Sequence, residues 1–258
     1  MRRALPWLGL VLLAISFIWF VRLLAPPHPP TAQRKPVVYR EQPLVVVLDP
    51  GHGGQDSGAM CGSLLVKDLT LDVALRAELL LRAAGFTTAL TRDDDRYVSL
   101  AERASLGNRP HDSLFVSIHF NDNARSTASG VETYYAPRPS AATPFLFSWF
   151  PFLQRTEITP LTEKSESLAR FLQAALVERT RAVNRGIKPE KFYVIANVRH
   201  PAALVEGGFI TNKSDVTKLA TTDYRQEIAS AISDGVYRYR EAIRTGKPTL
   251  TLAAARPE

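Results

Sequence analysis

Cysteine is almost absent: Cys61 stands alone in 258 residues. An internal disulfide is therefore excluded, as is any zinc site built from several thiolates. Basic residues never gather into a block. The formal net charge is +7, but three of those charges (Arg2, Arg3 and Arg22) lie in a first segment of 25 residues that holds no acid. The excess left on the remainder is too diffuse for the basic stripe of a nucleic-acid-binding surface, so nucleic acid is not expected as a partner. No HExxH-type pair and no internal repeat occurs. Disorder is excluded too, since 45% of the residues are hydrophobic and 22% charged.

Only one long uncharged apolar run is present, residues 4–21, ALPWLGLVLLAISFIWFV. At about 1.5 Å rise per residue, a helix from Ala4 to Ala25 approaches the ~30 Å hydrocarbon core of a bilayer. Residues 1–25 are therefore expected to be an N-terminal transmembrane anchor. A cleaved signal peptide is the alternative, although no clear small-x-small cleavage site follows. Arg2 and Arg3 place the N-terminus in the cytoplasm. The chain is then a single-pass protein of the inner membrane whose main domain lies in the periplasm or cell-wall space. Residues 26–43, PPHPPTAQRKPVVYREQP, read as a proline-rich spacer.

From residue 44 the pattern is α/β. Short β-branched runs at Leu44–Leu48, Phe86–Thr91, Leu114–Ile118, Val131–Tyr135, Phe192–Ile195 and Ala203–Val205 predict strands. Helices are predicted over Leu69–Ala84, Ser99–Gly107 with Ser99 as N-cap, Ser165–Val183 and Tyr224–Ile243. Such alternation implies one domain, residues 44–245, with a twisted, mostly parallel (mixed) sheet and helices on both faces. Residues 246–258 are expected to be a flexible tail, and the protein a monomer.

Three predicted strands end in chemistry. His52 follows the first within Asp49-Pro50-Gly51-His52-Gly53-Gly54, His119 closes Ser117-Ile118-His119, and Glu206 closes Leu204-Val205-Glu206-Gly207-Gly208. Ligands bind at the carboxyl ends of strands in open α/β sheets. Two neutral imidazoles and a carboxylate are what a catalytic zinc and its general base require, though each residue could equally be a hydrogen-bonded structural group.

The segments VVVLDPGHGGQDSGA, KDLTLDVALRAELLLRAAGFTTALTR, DSLFVSIHFND, GVETYY, NRGIK, FYVI and ALVEGGFITN resemble, in order, the amidase_3 family of zinc-dependent N-acetylmuramoyl-L-alanine amidases. The likeness covers residues 44–243. It implies hydrolysis of the amide between N-acetylmuramic acid and L-alanine in peptidoglycan, with Zn2+ on His52 and His119 and Glu206 as catalytic acid–base. One position departs: Val66 stands where the family carries a glutamate ligand before Lys67-Asp68. Asp68, Asp56 or Cys61 could take its place. The zinc could instead be held weakly with extra water, or the protein could be a catalytically impaired, wall-binding or regulatory pseudo-amidase.

Residues 138–164 form a connection far longer than the usual ~2–6 residues. Phe145, Phe147, Trp149, Phe150 and Phe152 crowd it among prolines. The segment is expected to pack on the domain, to cover the cleft, or to dock a regulatory protein or the membrane.

Overall fold

A computed structural model describes residues 44–138 and 160–246, together with 15–17 and 19. The chain divides into two units, residues 1–41 and 42–258. In the first, the described positions are helical, and Ile15, Phe17 and Trp19 are exposed. No helix among the described residues is long and apolar enough to cross a membrane. The anchor expected over residues 1–25 falls almost wholly outside the described residues, the 26–43 spacer wholly, and the 246–258 tail all but Gly246.

In the second unit the β-branched runs become strands β1 (Val45–Pro50), β4 (Thr87–Leu90), β5 (Ser113–Asn121), β6 (Val131–Tyr135), β7 (Asn184–Pro189) and β8 (Ala202–Phe209) of one sheet. Strands β2 (Met60–Cys61) and β3 (Leu64–Leu65) form a separate small hairpin. The six-stranded order is β4-β1-β5-β8-β6-β7. Every pairing in it is parallel except β6 with β8. A mixed, mostly parallel sheet was the expectation, and it holds.

Because successive side chains in a strand point to opposite faces, each strand feeds two cores. Val46, Leu48, Leu114, Val116, Ile118, Ala203 and Val205 face one side. There they meet three helices: α1 (Val66–Ala83) through Val73 and Leu81, α3 (Pro160–Thr180) through Leu168 and Leu172, and α6 (Thr222–Thr245) through Ile228 and Ile232. Helices α3 and α6 cross so closely that a Cβ on Gly235 would lie 2.8 Å from Leu172 Cα. The intervening residues Val47, Phe115, Ala202 and Leu204 face the other side, where Ala104 of α2 (Leu100–Gly107) and Val194 and Ile195 of α4 (Tyr193–Ala196) cover them. At roughly 1.5–3 kcal/mol for each fully buried aliphatic side chain, most of the stabilisation resides on the three-helix side. The thinly covered face is the one free to carry a site.

Several boundaries differ from the pattern-based expectation. Helix α1 starts at Val66 rather than Leu69, because its first amides are satisfied by loop carbonyls: Val66 N donates to Ala59 O and Lys67 N to Ser57 O. No side-chain cap marks that start in the sequence. Helix α3 begins at Pro160, five residues earlier than expected, with proline in the first-turn position it favours. Phe192–Ile195, expected as a strand, is a correction: Tyr193–Ala196 is a single helical turn whose Val194 and Ile195 are buried. Strand β7 and the short helix α5 (Lys213–Leu219), capped by Asn212, were not predicted. Ser99 does cap α2, accepting from Glu102 N.

Candidate active site

The alternation that builds the two cores also gathers the polar residues. Asp49 follows Val47, Ser117 and His119 follow Phe115, and Glu206 follows Leu204, each by steps of two, so all four lie on the thinly covered face. Registers then bring them level: Asp49 is opposite Ser117, and His119 opposite Glu206. His52 comes from the loop after β1. Its ring and that of His119 meet at 5.2 Å between centroids and 74° between planes.

Close approach of the two rings depends on glycine. A Cβ on Gly51 would sit 2.3 Å from His119 Cε1, so no other residue fits there without moving the ring. His52 itself has φ of +60°, a conformation L side chains enter at a cost of about 1 kcal/mol or more. Two arginines hold it there. Arg103 donates to Pro50 O at 2.5 Å and to His52 O at 2.5 Å, and it pairs with the fully buried Asp49 at 2.8 Å. Arg92 donates to Pro50 O, Gly51 O and Lys67 O at 2.8–3.0 Å. Asp49 also accepts from Thr91 Oγ1 (2.6 Å) and Ser117 Oγ (2.7 Å). These residues were not singled out from sequence. Arg92 and Arg103 sit amid exposed-looking charged segments, and only the fold shows that both are buried.

The environments of the titratable groups differ sharply. His52 Nδ1 lies 2.9–3.0 Å from both carboxylate oxygens of Asp56, which leaves Nε2 as its free nitrogen. Burial tends to raise the Asp56 carboxyl, but the Gly58 amide and His52 outweigh it and hold it below the usual range. Burial, then the neighbouring His52, pushes His119 down to about 4, so it is a neutral imidazole at neutral pH. Glu206 is raised well above an ordinary glutamate, first by burial and then by Glu132. Its Oε2 is buried and has no hydrogen-bond partner among the described residues.

A cavity of about 330 Å3 opens over the histidines, lined by His52, His119, Asp56, Tyr97, Arg103 and Val194 among others. His52 and His119 are thus brought together as expected. Glu206 shares their face one strand away, beside His119, without lining that cavity. Val66 is fully buried in the core of the opposite side. Of the residues considered as its replacement, Asp56 is engaged with His52 Nδ1, while Asp68 on α1 and Cys61 on the hairpin are exposed. Among the described residues no group of three His, Cys, Asp or Glu side chains is placed to hold a metal. Among the described residues His52 and His119 present two imidazole rings side by side, and Val66 brings no donor to them.

Residues 46–238 match the family described as Amidase_3, N-acetylmuramoyl-L-alanine amidase. N-acetylmuramoyl-L-alanine amidase LytC of Bacillus subtilis is 38% identical over 194 residues, which are 75% of this chain but 35% of LytC. The chain thus spans about a third of the length of that relative. Among solved structures, an N-acetylmuramoyl-L-alanine amidase from Clostridium difficile 630 superimposes with a TM-score of 0.66 at 31% identity, covering 78% of this chain and 98% of that one. The CwlD amidase from Clostridioides difficile, solved in complex with the GerS lipoprotein, gives 0.65 at 26% identity over 77% of this chain and 99% of its own. Fold, site and matched residues converge on one conclusion: the chain belongs to the Amidase_3 family of N-acetylmuramoyl-L-alanine amidases.

Proposed function

We propose that this protein hydrolyses the amide joining N-acetylmuramic acid to L-alanine in peptidoglycan, with His52 and His119 as zinc ligands and Glu206 as the proton carrier. The observation that carries the reading is the juxtaposition of two converging imidazoles, one held neutral by burial, with a buried carboxyl that has an unpartnered oxygen. Zinc, when bound, supplies Lewis acidity towards the scissile carbonyl and the attacking water. The residues of the chain do the rest. Asp56 on Nδ1 fixes the His52 tautomer and directs Nε2 outwards, the usual support for a ligating imidazole. Arg92 and Arg103 hold the strained loop so that His52 does not relax away. Glu206 takes the proton of the attacking water on a carboxylate oxygen and returns it to the departing alanine nitrogen.

A merely wall-binding pseudo-amidase would have no use for Glu206. A buried carboxyl oxygen without a partner among the described residues costs stability, and such groups cluster at sites of chemistry. On this reading Val66 weakens metal retention rather than removing the reaction, since catalytic zinc normally has three protein ligands and His52 and His119 would supply two. Residues 1–25 would anchor the domain at the outer side of the inner membrane, and residues 138–164 would engage a regulatory protein. That the CwlD neighbour was solved with a lipoprotein supports the second point.

The test is digestion of purified peptidoglycan by the zinc-loaded protein, with new alanine amino termini counted by mass spectrometry. Release by wild type and its loss in Glu206→Gln is the expected result. If no alanine amine appears, the amidase reading is wrong.

A further inference from the structure

Next to Glu206 lies a second cluster that the reaction as described leaves unused. Glu132 on β6 stands opposite Glu206 on β8. It is only 2% exposed, and four donors surround it: Asn121 Nδ2 (2.7 Å), Tyr134 Oη (2.5 Å), Arg185 Nε (2.8 Å) and Lys188 Nζ (2.5 Å). One cation would neutralise this carboxylate. The second is surplus, so Glu132, Arg185 and Lys188 together carry one net positive charge.

Both cationic heads reach the surface, with the Arg185 side chain 32% and the Lys188 side chain 39% exposed. Arg185 uses only its Nε on Glu132; among the described residues its two Nη groups have no hydrogen-bond partner. Its guanidinium is held 4.9 Å over the Phe209 ring, which fixes the plane of the fork. A fixed guanidinium with two free donors is matched to a carboxylate. Neighbouring strands are about 4.8 Å apart. The cations reach back from β7 over Glu132, so they stand about one to two residues of extended peptide (~3.5 Å each) from Glu206.

We propose that Arg185 and Lys188 form a carboxylate subsite that takes the free carboxylate of the residue following the alanine in the stem peptide. The proposal rests on the amidase reading for the placement of the alanine at Glu206. In that stem the next residue is a glutamate joined through its side chain, whose own α-carboxyl is either free or amidated. Arg185 and Lys188 would thus be specificity-determining residues that distinguish the two forms.

The experiment is calorimetric titration of the full chain with L-alanyl-D-glutamate whose γ-carboxyl is blocked as the methylamide, and with the same compound amidated at the α-carboxyl as well, neither of which needs turnover. Wild type should bind the free carboxylate about tenfold more tightly than the amide. Arg185→Gln should bring the two affinities within about twofold, Arg185→Lys should keep part of the preference, and Lys188→Met should reduce it with Glu132 still paired to Arg185. Equal affinities in wild type would overturn the subsite without any variant having to fold. So would an Arg185→Gln protein that binds both ligands more weakly but keeps the tenfold ratio. Selective binding by a protein that frees no alanine amino termini in wall would leave the subsite standing and remove the amidase reading instead.

Discussion

Glu132 and Glu206 face each other across the antiparallel β6–β8 pairing, yet among the described residues only Glu132 is met by cations. Burial tends to raise Glu132, but Lys188, Tyr134 and Arg185 outweigh it and hold it below the ordinary range, ionised. The same ionised Glu132, added to burial, drives Glu206 the other way. Two carboxyls with opposed environments are how a site separates a fixed charge from a proton carrier.

Glu206→Gln should therefore have two effects of opposite value. Turnover should fall by roughly 10²–10⁴, the usual contribution of acid–base catalysis. Stability should rise at neutral pH. A carboxyl whose folded pKa is raised is neutral in both states below the unfolded value, and it destabilises the fold progressively as pH climbs above that value. The gain from Glu206→Gln in the zinc-free protein should thus be clear at pH 7 and vanish near pH 4. Urea melts at the two pH values check this; an unstabilised variant at pH 7 would show that the Glu206 carboxyl is not penalised.

His119 should have the converse pH signature. Its folded value is about 4 against 6.5 for an ordinary histidine, so the unfolded chain takes up the proton first as pH falls. Stability linked to His119 is intact above pH 6.5 and is lost between there and pH 4, by up to about 3 kcal/mol at ~1.36 kcal/mol per pH unit. Zinc-free wild type should lose that much more stability than His119→Gln between pH 7 and pH 4. Parallel losses in the two proteins would contradict the burial of the ring.

Arg103→Met should be among the most damaging changes away from the chemistry. It strands Asp49, which is fully buried and keeps only Thr91 Oγ1 and Ser117 Oγ, and it frees the His52 carbonyl. Removing one partner of a buried ion pair costs about 3–5 kcal/mol. Thermal melts should show the loss, and Arg103→Met with Asp49→Asn should recover part of it. An additive double variant would mean that the two residues do not act as a pair.

How much of this was legible beforehand follows from where each signal resides. His52, His119 and Glu206 could be named because glycines and strand ends are local features; that His119 and Glu206 share one face came only from the pairing of β5 with β8. The mixed sheet was legible from alternation and family likeness together. Glu132 was not, since its meaning comes from β7, whose strand Asn184–Pro189 contains a glycine and a proline and reads as loop. Arg92 and Arg103 escaped notice because burial of arginine is rare enough that sequence alone argues against it. The turn at Tyr193–Ala196 was misread because four residues do not distinguish a buried helical turn from a strand.

Val66→Glu tests the missing ligand most directly, and the structure sharpens what to expect. Val66 opens α1 and is fully buried in the larger core with Leu69 and Val73. A carboxylate introduced there without a partner is desolvated, so the zinc-free variant should be less stable than wild type by a few kcal/mol. If the position belongs to the metal site, zinc should reverse the penalty. The carboxylate then gains a cation, affinity rises, and the stabilisation by saturating zinc exceeds that of wild type by the ratio of their dissociation constants. Wild type, if His52 and His119 alone hold the ion, should lose zinc on gel filtration while the variant retains close to one ion per chain. Amidase activity at limiting zinc should rise in step with retention. Melting curves with and without zinc, read beside metal analysis of both proteins, decide it: a variant destabilised by the same amount in either condition would place Val66 in the core alone, and the metal would then rest on the two histidines.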